Sequence, residues 1–210
     1  MFVTFEGIDA SGKSTQVKFL EEYLIKKNIK VLVVREPGGT KLSEEIRTIL
    51  LAKENFNMVK ECEILLFSAS RAQLVREVII PKLREGFIII SDRFHDSTTV
   101  YQGIGRDIDL EIVYQIHKLA ISDCKPDLTF FVDITFEESI RRKLQSNLLP
   151  DRIESLGKEF FDKVRNGYFQ IAKLEPARFK VIDGMRSPEM IHQEIVKIFE
   201  EYFIKYKGDL

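Results

Sequence analysis

Eight consecutive residues near the start of the chain, Gly7, Ile8, Asp9, Ala10, Ser11, Gly12, Lys13 and Ser14, satisfy the pattern G-x-x-x-x-G-K-[ST] at every fixed position. The chemistry of that spacing is the capture of a polyphosphate. Glycines let the backbone curl so that successive N–H groups point inward at one phosphate. A helix that starts at once behind the curl adds the positive end of its dipole. Lys13 would bridge the β- and γ-phosphates of a nucleoside triphosphate, and the Ser14 hydroxyl stands where it can ligate an accompanying magnesium ion. Thr15 opens the helix proper, so the expected ATP cradle runs from Gly7 to Thr15.

A phosphate cradle alone does not separate kinases from switches, motors and translocases. The chain carries no N-K-x-D segment that would read guanine, and at 210 residues it is too short for a translocase. Its 32 basic and 33 acidic side chains nearly cancel, leaving no global field to hold nucleic acid or an anionic membrane. Arginines stand instead at strand ends, where open α/β sheets bind their ligands. These features favour a small-molecule kinase.

The second apolar run leads into Arg35, Glu36, Pro37, Gly38, Gly39 and Thr40, and the third leads into Ser91, Asp92, Arg93 and Phe94. Between them lies LLFSASR (65–71), and after them DSTTVYQGIGR (96–106). Together with GIDASGKSTQ, in this order and spacing, these segments resemble the thymidylate kinase family in its bacterial form, over nearly the whole chain. The resemblance implies phosphoryl transfer from ATP to dTMP, giving ADP and dTDP in dTTP biosynthesis, with magnesium. It implies that Phe67 stacks on the thymine ring, that Arg71 donates to the thymine O4, and that Gln102 reads the N3 edge. Tyr101 would pack under the deoxyribose and leave no space for a 2′-hydroxyl, with Ser97 and Thr98 on the same side and Glu36 and Pro37 in the acceptor site. The resemblance also implies a homodimer, for which the apolar helix around 65–83 offers a face. The near alternative is a kinase of another nucleoside monophosphate or of a deoxynucleoside; the distant one is a nucleotide switch that signals to a protein.

Transfer between two phosphates gathers several negative oxygens, so the protein's task is to hold donor and acceptor in line and supply positive charge. Arg93, one residue past a strand end, is the expected clamp on the acceptor phosphate because a guanidinium fork matches phosphate oxygens in pairs; Arg35 and Arg47 share that load. Asp92 is placed to orient magnesium through water, and Asp9, inside the cradle, resembles the family carboxylate near the acceptor's sugar hydroxyl and phosphate. Some family members carry an arginine inside the cradle where this chain has Ala10. Alanine supplies no charge, so the resemblance implies a compensating Arg152 from a mobile lid, with Arg141, Arg142 and Lys143 as assistants or as a solvated helix face. The expected catalytic set is Lys13, Asp9, Arg93 and Arg152.

The elements that must position these groups alternate. Short apolar, β-branched or aromatic runs fall at 2–5, 31–34, 87–90, 128–132 and 179–182; helical spacing covers 13–27, 42–52, 60–85, 109–122, 136–146, 157–174 and 188–206. Strands apolar on both faces and separated by helices predict an α/β fold, a doubly wound five-stranded parallel sheet flanked by helices. With 44% hydrophobic residues in 210, one domain spanning 1–210 is expected, with a lid insert at about 146–157 where Pro150 and Gly157 bracket a charged stretch. Cys62 and Cys124 are too few for a disulfide framework, and no long apolar run reads as a leader or a membrane span, so a cytoplasmic protein is expected. His95, His117 and His192 show no metal-binding spacing, and His95 alone falls near the acceptor residues.

Overall fold

The structure, a computed structural model, describes residues 1–146, 151–153 and 155–208. Of the expected lid insert, residues 147–150 and 154 lie outside the described residues.

Among the described residues five strands form: β1 (Phe2–Glu6), β2 (Val31–Arg35), β3 (Ile88–Asp92), β4 (Leu128–Asp133) and β5 (Phe179–Asp183). They pair in the order β2-β3-β1-β4-β5, every pairing parallel. The central strand β1 is buried along its whole length, as a parallel strand covered on both faces must be. Its register, Val3 against Ile90 on one side and Leu128 on the other, aligns alternate residues of three strands. Val3, Phe5, Ile88, Ile90, Phe130 and Val132 therefore point to one face. There they meet Val17, Leu20 and Leu24 of α1 (Lys13–Lys26) and Ile191, Ile195 and Phe199 of α9 (Pro188–Gly208). Truncating one of these large core side chains to alanine costs about 3–5 kcal/mol for a phenylalanine. Phe2, Ile89 and Phe131 point to the opposite face.

That second face is covered by α3 (Lys60–Leu74), α6 (Leu110–Ile121) and α8 (Lys158–Leu174). The expected single helix over 60–85 is continuous but not uniform. A wide π turn at Val75–Ile79 separates α3 from α4 (Ile80–Arg84), just ahead of Pro81, whose missing N–H cannot continue the regular ladder. The strand and helix boundaries otherwise agree with the periodicity to within about two residues.

Two helical stretches among the described residues were not expected: a single 3₁₀ turn at Lys53–Asn55 and a longer one after β3. After β3 the chain enters α5 (His95–Thr98) and continues as a π-helical segment, Thr99–Gly105. Its composition, STTVYQGIG, is rich in β-branched residues and glycine, which disfavour helix locally; packing of Val100 and Tyr101 against Phe161, Val164 and Tyr168 outweighs that preference. Because β1 lies between β3 and β4, the carboxyl ends of β1 and β3 open side by side at the point where the winding reverses. The remaining α-helices among the described residues are α2 (Lys41–Leu51), capped by the Thr40 side chain accepting from Ser43 N–H, and α7 (Phe136–Ser146).

Candidate active site

Glu6 ends β1 and the chain curls at Gly7, whose φ of 142° is open only to glycine; a Cβ there would lie 2.6 Å from the Val132 carbonyl oxygen. Gly12, at φ 99°, caps α1 without any side-chain acceptor, so the first-turn N–H groups of that helix keep their free donors for an anion. Lys13 folds back over the curl and donates from Nζ to the Ile8 carbonyl at 2.9 Å. Burial, then the charge of Arg93, lowers its pKa to about 8. The Ser14 hydroxyl donates to Asp92 Oδ2 at 2.6 Å. Asp92 ends β3 directly beside Phe5, so two hard oxygen donors stand together at the cradle's edge.

Arg93 links this cradle to a second compartment. Its Nη1 donates to the Gly7 carbonyl (2.8 Å) and to Ser97 Oγ (3.3 Å), its Nη2 donates to Asp9 Oδ1 (2.7 Å), and the guanidinium lies 5.2 Å over the Tyr101 ring. The backbone that achieves this is held at φ 71°, uncommon for a residue with a side chain and worth about 1–3 kcal/mol of strain. For Asp9 burial pulls upward, but the charges of Arg93, Lys13 and Lys143 outweigh it and hold the carboxyl down at about 2.

The second compartment is a cavity lined by Asp9, Glu36, Pro37, Arg47, Phe67, Arg71, Arg93, Ser97, Thr98, Tyr101 and Gln102, every one of them expected on the acceptor side, together with Leu51, Asp151 and Ile153. Arg71 is almost fully buried. Its Nε donates to Glu36 (2.6 Å), Nη1 to Thr98 Oγ1 (3.0 Å) and Nη2 to the Phe94 carbonyl (3.1 Å), which fixes the guanidinium plane. Burial raises the Glu36 pKa to about 7 against the pull of Arg71. Gln102 is buried and donates from Nε2 to Glu63 (2.9 Å). Tyr101 is buried against Phe160 and Phe161. Arg47 donates to the Pro37 carbonyl at 2.8 Å.

Two expected residues lie elsewhere. Arg35 is not in the cavity wall: it pairs with Glu44 (2.8 Å) of α2 and donates to the Pro37 carbonyl (3.4 Å). Arg152 does not stand over the cradle. It is buried, donating to the Leu50 carbonyl (2.8 Å) and to Glu63 (2.6 Å), where it balances a carboxylate sunk in α3. Besides Arg93, Arg142 of α7 meets the cradle, through the carbonyls of Ala10 (3.3 Å) and Ser11 (3.2 Å), and it also donates to Gly184 (2.8 Å) after β5. The sequence offered it only as one of a basic run.

Glu6 was missed altogether. Wholly buried beneath the site, it accepts from the Phe94 N–H (2.8 Å), the Ser97 hydroxyl (2.5 Å) and the Tyr168 hydroxyl (2.9 Å); burial and Asp96 push its pKa up to about 7. The only signal was a carboxylate ending the apolar run FVTFE. His95 faces away from the acceptor cavity, into a second cleft shared with His117.

Compared with known proteins, the chain matches the family model described as thymidylate kinase over residues 5–195. It is 48% identical over 202 residues to the thymidylate kinase of Fervidobacterium nodosum, a match covering 96% of this chain and 100% of that one. It is 47% identical over 205 residues to that of Prosthecochloris aestuarii, covering 94% and 92%. The crystal structure of thymidylate kinase from Ehrlichia chaffeensis superposes with a TM-score of 0.77 at 36% identity, covering 95% of this chain and 98% of that one.

Proposed function

The chain belongs to the thymidylate kinase family, and on that footing we infer how its own residues carry the terminal phosphoryl group of ATP to dTMP, giving ADP and dTDP on the way to dTTP. The observation that carries the reading is Arg93, whose guanidinium holds the cradle at Gly7 and Asp9 while facing the cavity that holds Phe67, Arg71 and Gln102. One fork thus stands where the tails of two nucleotides must meet.

In this reading the amides of Gly7 to Thr15 grip the β-phosphate, and Lys13 leaves the Ile8 carbonyl to span the β- and γ-phosphates. Arg93, with Arg47, takes the acceptor phosphate, and Asp9 keeps the Arg93 fork in plane. Phe67 stacks on the base, and the fixed guanidinium of Arg71 donates to O4. Gln102, with its nitrogen turned to Glu63, offers its carbonyl oxygen to the N3–H. Tyr101, wedged against Phe160 and Phe161, cannot yield to a 2′-hydroxyl. Magnesium fits the two hard oxygens of Ser14 and Asp92, which would hold it at the cradle's edge. When bound, it neutralises the triphosphate. Arg152 either leaves Glu63 for the phosphates on closure or stays to brace the acceptor wall; the kinetics of its variant decide.

We read residues 1–210 as one kinase domain of a cytoplasmic protein that pairs as a homodimer. Supporting the pairing, Leu65 of α3, Val59 before it and Ile112 and Leu119 of α6 are large apolar side chains left exposed. Among the described residues no helix is long and apolar enough to cross a membrane.

The test is phosphorylation by ATP across dTMP, dUMP, dCMP, dGMP and AMP, followed as ADP formed. dTMP is expected to be the best acceptor, with dUMP behind by the ~1–3 kcal/mol that a buried methyl contributes. A protein that phosphorylated another monophosphate faster than dTMP would overturn the reading.

A further inference from the structure

We propose that Glu63 is a specificity-determining positioning residue: its carboxylate, sunk behind Gln102, locks that amide with its nitrogen inward and its oxygen toward the base. The pocket then admits a ring N3–H and refuses a ring N3 lone pair. The proposal rests on the dTMP reading and adds to it the group that sets which end of Gln102 the base meets.

A glutamine amide is ambivalent. One end donates and the other accepts, and turning it over exchanges the two at almost no steric cost. Alone, Gln102 would suit the N3–H of thymine in one pose and the bare N3 of cytosine in the other. Glu63 removes the choice, because an ionised carboxylate only accepts. It is kept ionised by two arginines: Arg106 donates from Nε to Oε1 (3.3 Å) and from Nη2 to Oε2 (3.1 Å), and Arg152 donates from Nη1 to Oε2 (2.6 Å). Burial opposes ionisation, but the hydrogen bonds from Gln102, Arg106 and Arg152 outweigh it, and the pKa stands below the ordinary glutamate value.

Turning Gln102 over would set its carbonyl oxygen against Glu63 Oε1, where the nitrogen now sits at 2.9 Å. Glu63 and Gln102 are 1% and 2% exposed, so no bulk water relieves two facing acceptors. The neighbouring Arg71, pinned by Glu36, can only donate. The pocket therefore presents donor then acceptor, the complement of the O4 and N3–H edge.

The probe is 5-methyl-2′-deoxyisocytidine 5′-monophosphate, which keeps the methyl group and the O4 carbonyl but carries a lone pair at N3. The wild-type enzyme is expected to prefer dTMP over it by about a hundredfold or more in kcat/KM. In Glu63→Gln, whose amide can face Gln102 with either end, that preference should fall at least about tenfold. In a Gln102→Leu background, Glu63→Gln should leave it unchanged. If Gln102→Leu collapses the preference but Glu63→Gln alone does not, the proposal is overturned while the base reading stands. If Gln102→Leu leaves the preference intact, both fail.

Should Glu63→Gln not fold, the wild-type protein still decides. The Gln102 side-chain NH2 resonances, assigned by their loss in Gln102→Leu, should be protected from solvent exchange. They should hold their shifts when dTMP is added, since the nitrogen stays on Glu63. A shift showing the NH2 group turned onto the base would overturn the proposal.

Discussion

Replacing Arg93 by lysine keeps the charge and removes the fork. The guanidinium makes three directed bonds from two nitrogens, to Gly7, Ser97 and Asp9, and lies over Tyr101. A single ammonium can keep the Asp9 partner, at 2.7 Å the shortest of the three, but it cannot also hold the cradle carbonyl and face the acceptor phosphate in the same plane. Binding of dTMP would lose one charge-assisted bond of about 1.5–3 kcal/mol, partly recovered by the retained charge, so its KM should rise less than about tenfold. The moving phosphoryl group would lose a preorganised donor, a loss typically worth about 10²–10³ in turnover, or about 2.7–4 kcal/mol. The expected signature is therefore a kcat lowered at least about a hundredfold with a modest KM change, measured as ADP formed under saturating ATP and dTMP. Arg93→Met should fall further, because Asp9 would also lose the charge that keeps it ionised. An Arg93→Lys enzyme with kcat within about threefold of wild type would refute the placement of Arg93 at the transfer point.

Arg71→Met should destabilise the protein by about 3–5 kcal/mol at pH 8, because Glu36 loses the cation that holds its buried carboxyl down at about 7 and must stay unpaired or take up a proton, and by less at pH 6, where the wild-type carboxyl is already largely protonated; denaturant unfolding at the two pH values checks this. His117 is buried and held neutral by burial and by its neighbours His95 and Arg71, its pKa lowered to about 2. The unfolded chain binds the extra proton below about 6.5, so the stability this group contributes is present above that pH and is lost at about 1.4 kcal/mol per unit as pH falls. Wild type should therefore lose about 2 kcal/mol more than His117→Gln between pH 7.5 and 5. ATP binding at pH 8.5 should take up a large fraction of a proton as phosphate restores the charge of Lys13, read as a dependence of calorimetric heat on buffer ionisation enthalpy; none is expected at pH 6.5. Arg142→Ala should raise the KM for ATP about tenfold with that for dTMP unchanged, whereas Arg152→Ala should alter dTMP kinetics if Arg152 stays on Glu63 and turnover alone if it moves to the phosphates.

The candidate residues whose surroundings were legible in the sequence act through the backbone next to them. Gly7, Gly12, Lys13 and Ser14 form a cradle because a strand, a curl and a helix follow one another within a dozen residues, and the required φ values belong to glycines at set positions. The five strands were legible for a similar reason: a parallel strand buried on both faces writes a continuous apolar run. The π-helical stretch Thr99–Gly105 was not, because its local preferences oppose helix and its stability comes from α8, some sixty residues further along the chain.

Arginines divide the two kinds of information. Strand-end spacing was enough to single out Arg93, since Asp9 and Gly7 lie on the adjacent strand's own turn. It could not tell Arg35, which pairs with Glu44 outside the cavity, from Arg47, which lines it, nor say that Arg142 would meet the cradle while Arg152 went to Glu63. A long side chain goes to the carboxylate or carbonyl that tertiary packing leaves unsatisfied, and those acceptors, Glu63 above all, sit in apolar segments whose periodicity is silent about charge. The sequence alone determined the curl between β1 and α1 and the parallel sheet, because each follows from contiguous backbone and alternating burial. Only the folded chain decided which cation faces which anion, because desolvation makes that choice and desolvation is a property of the assembled core.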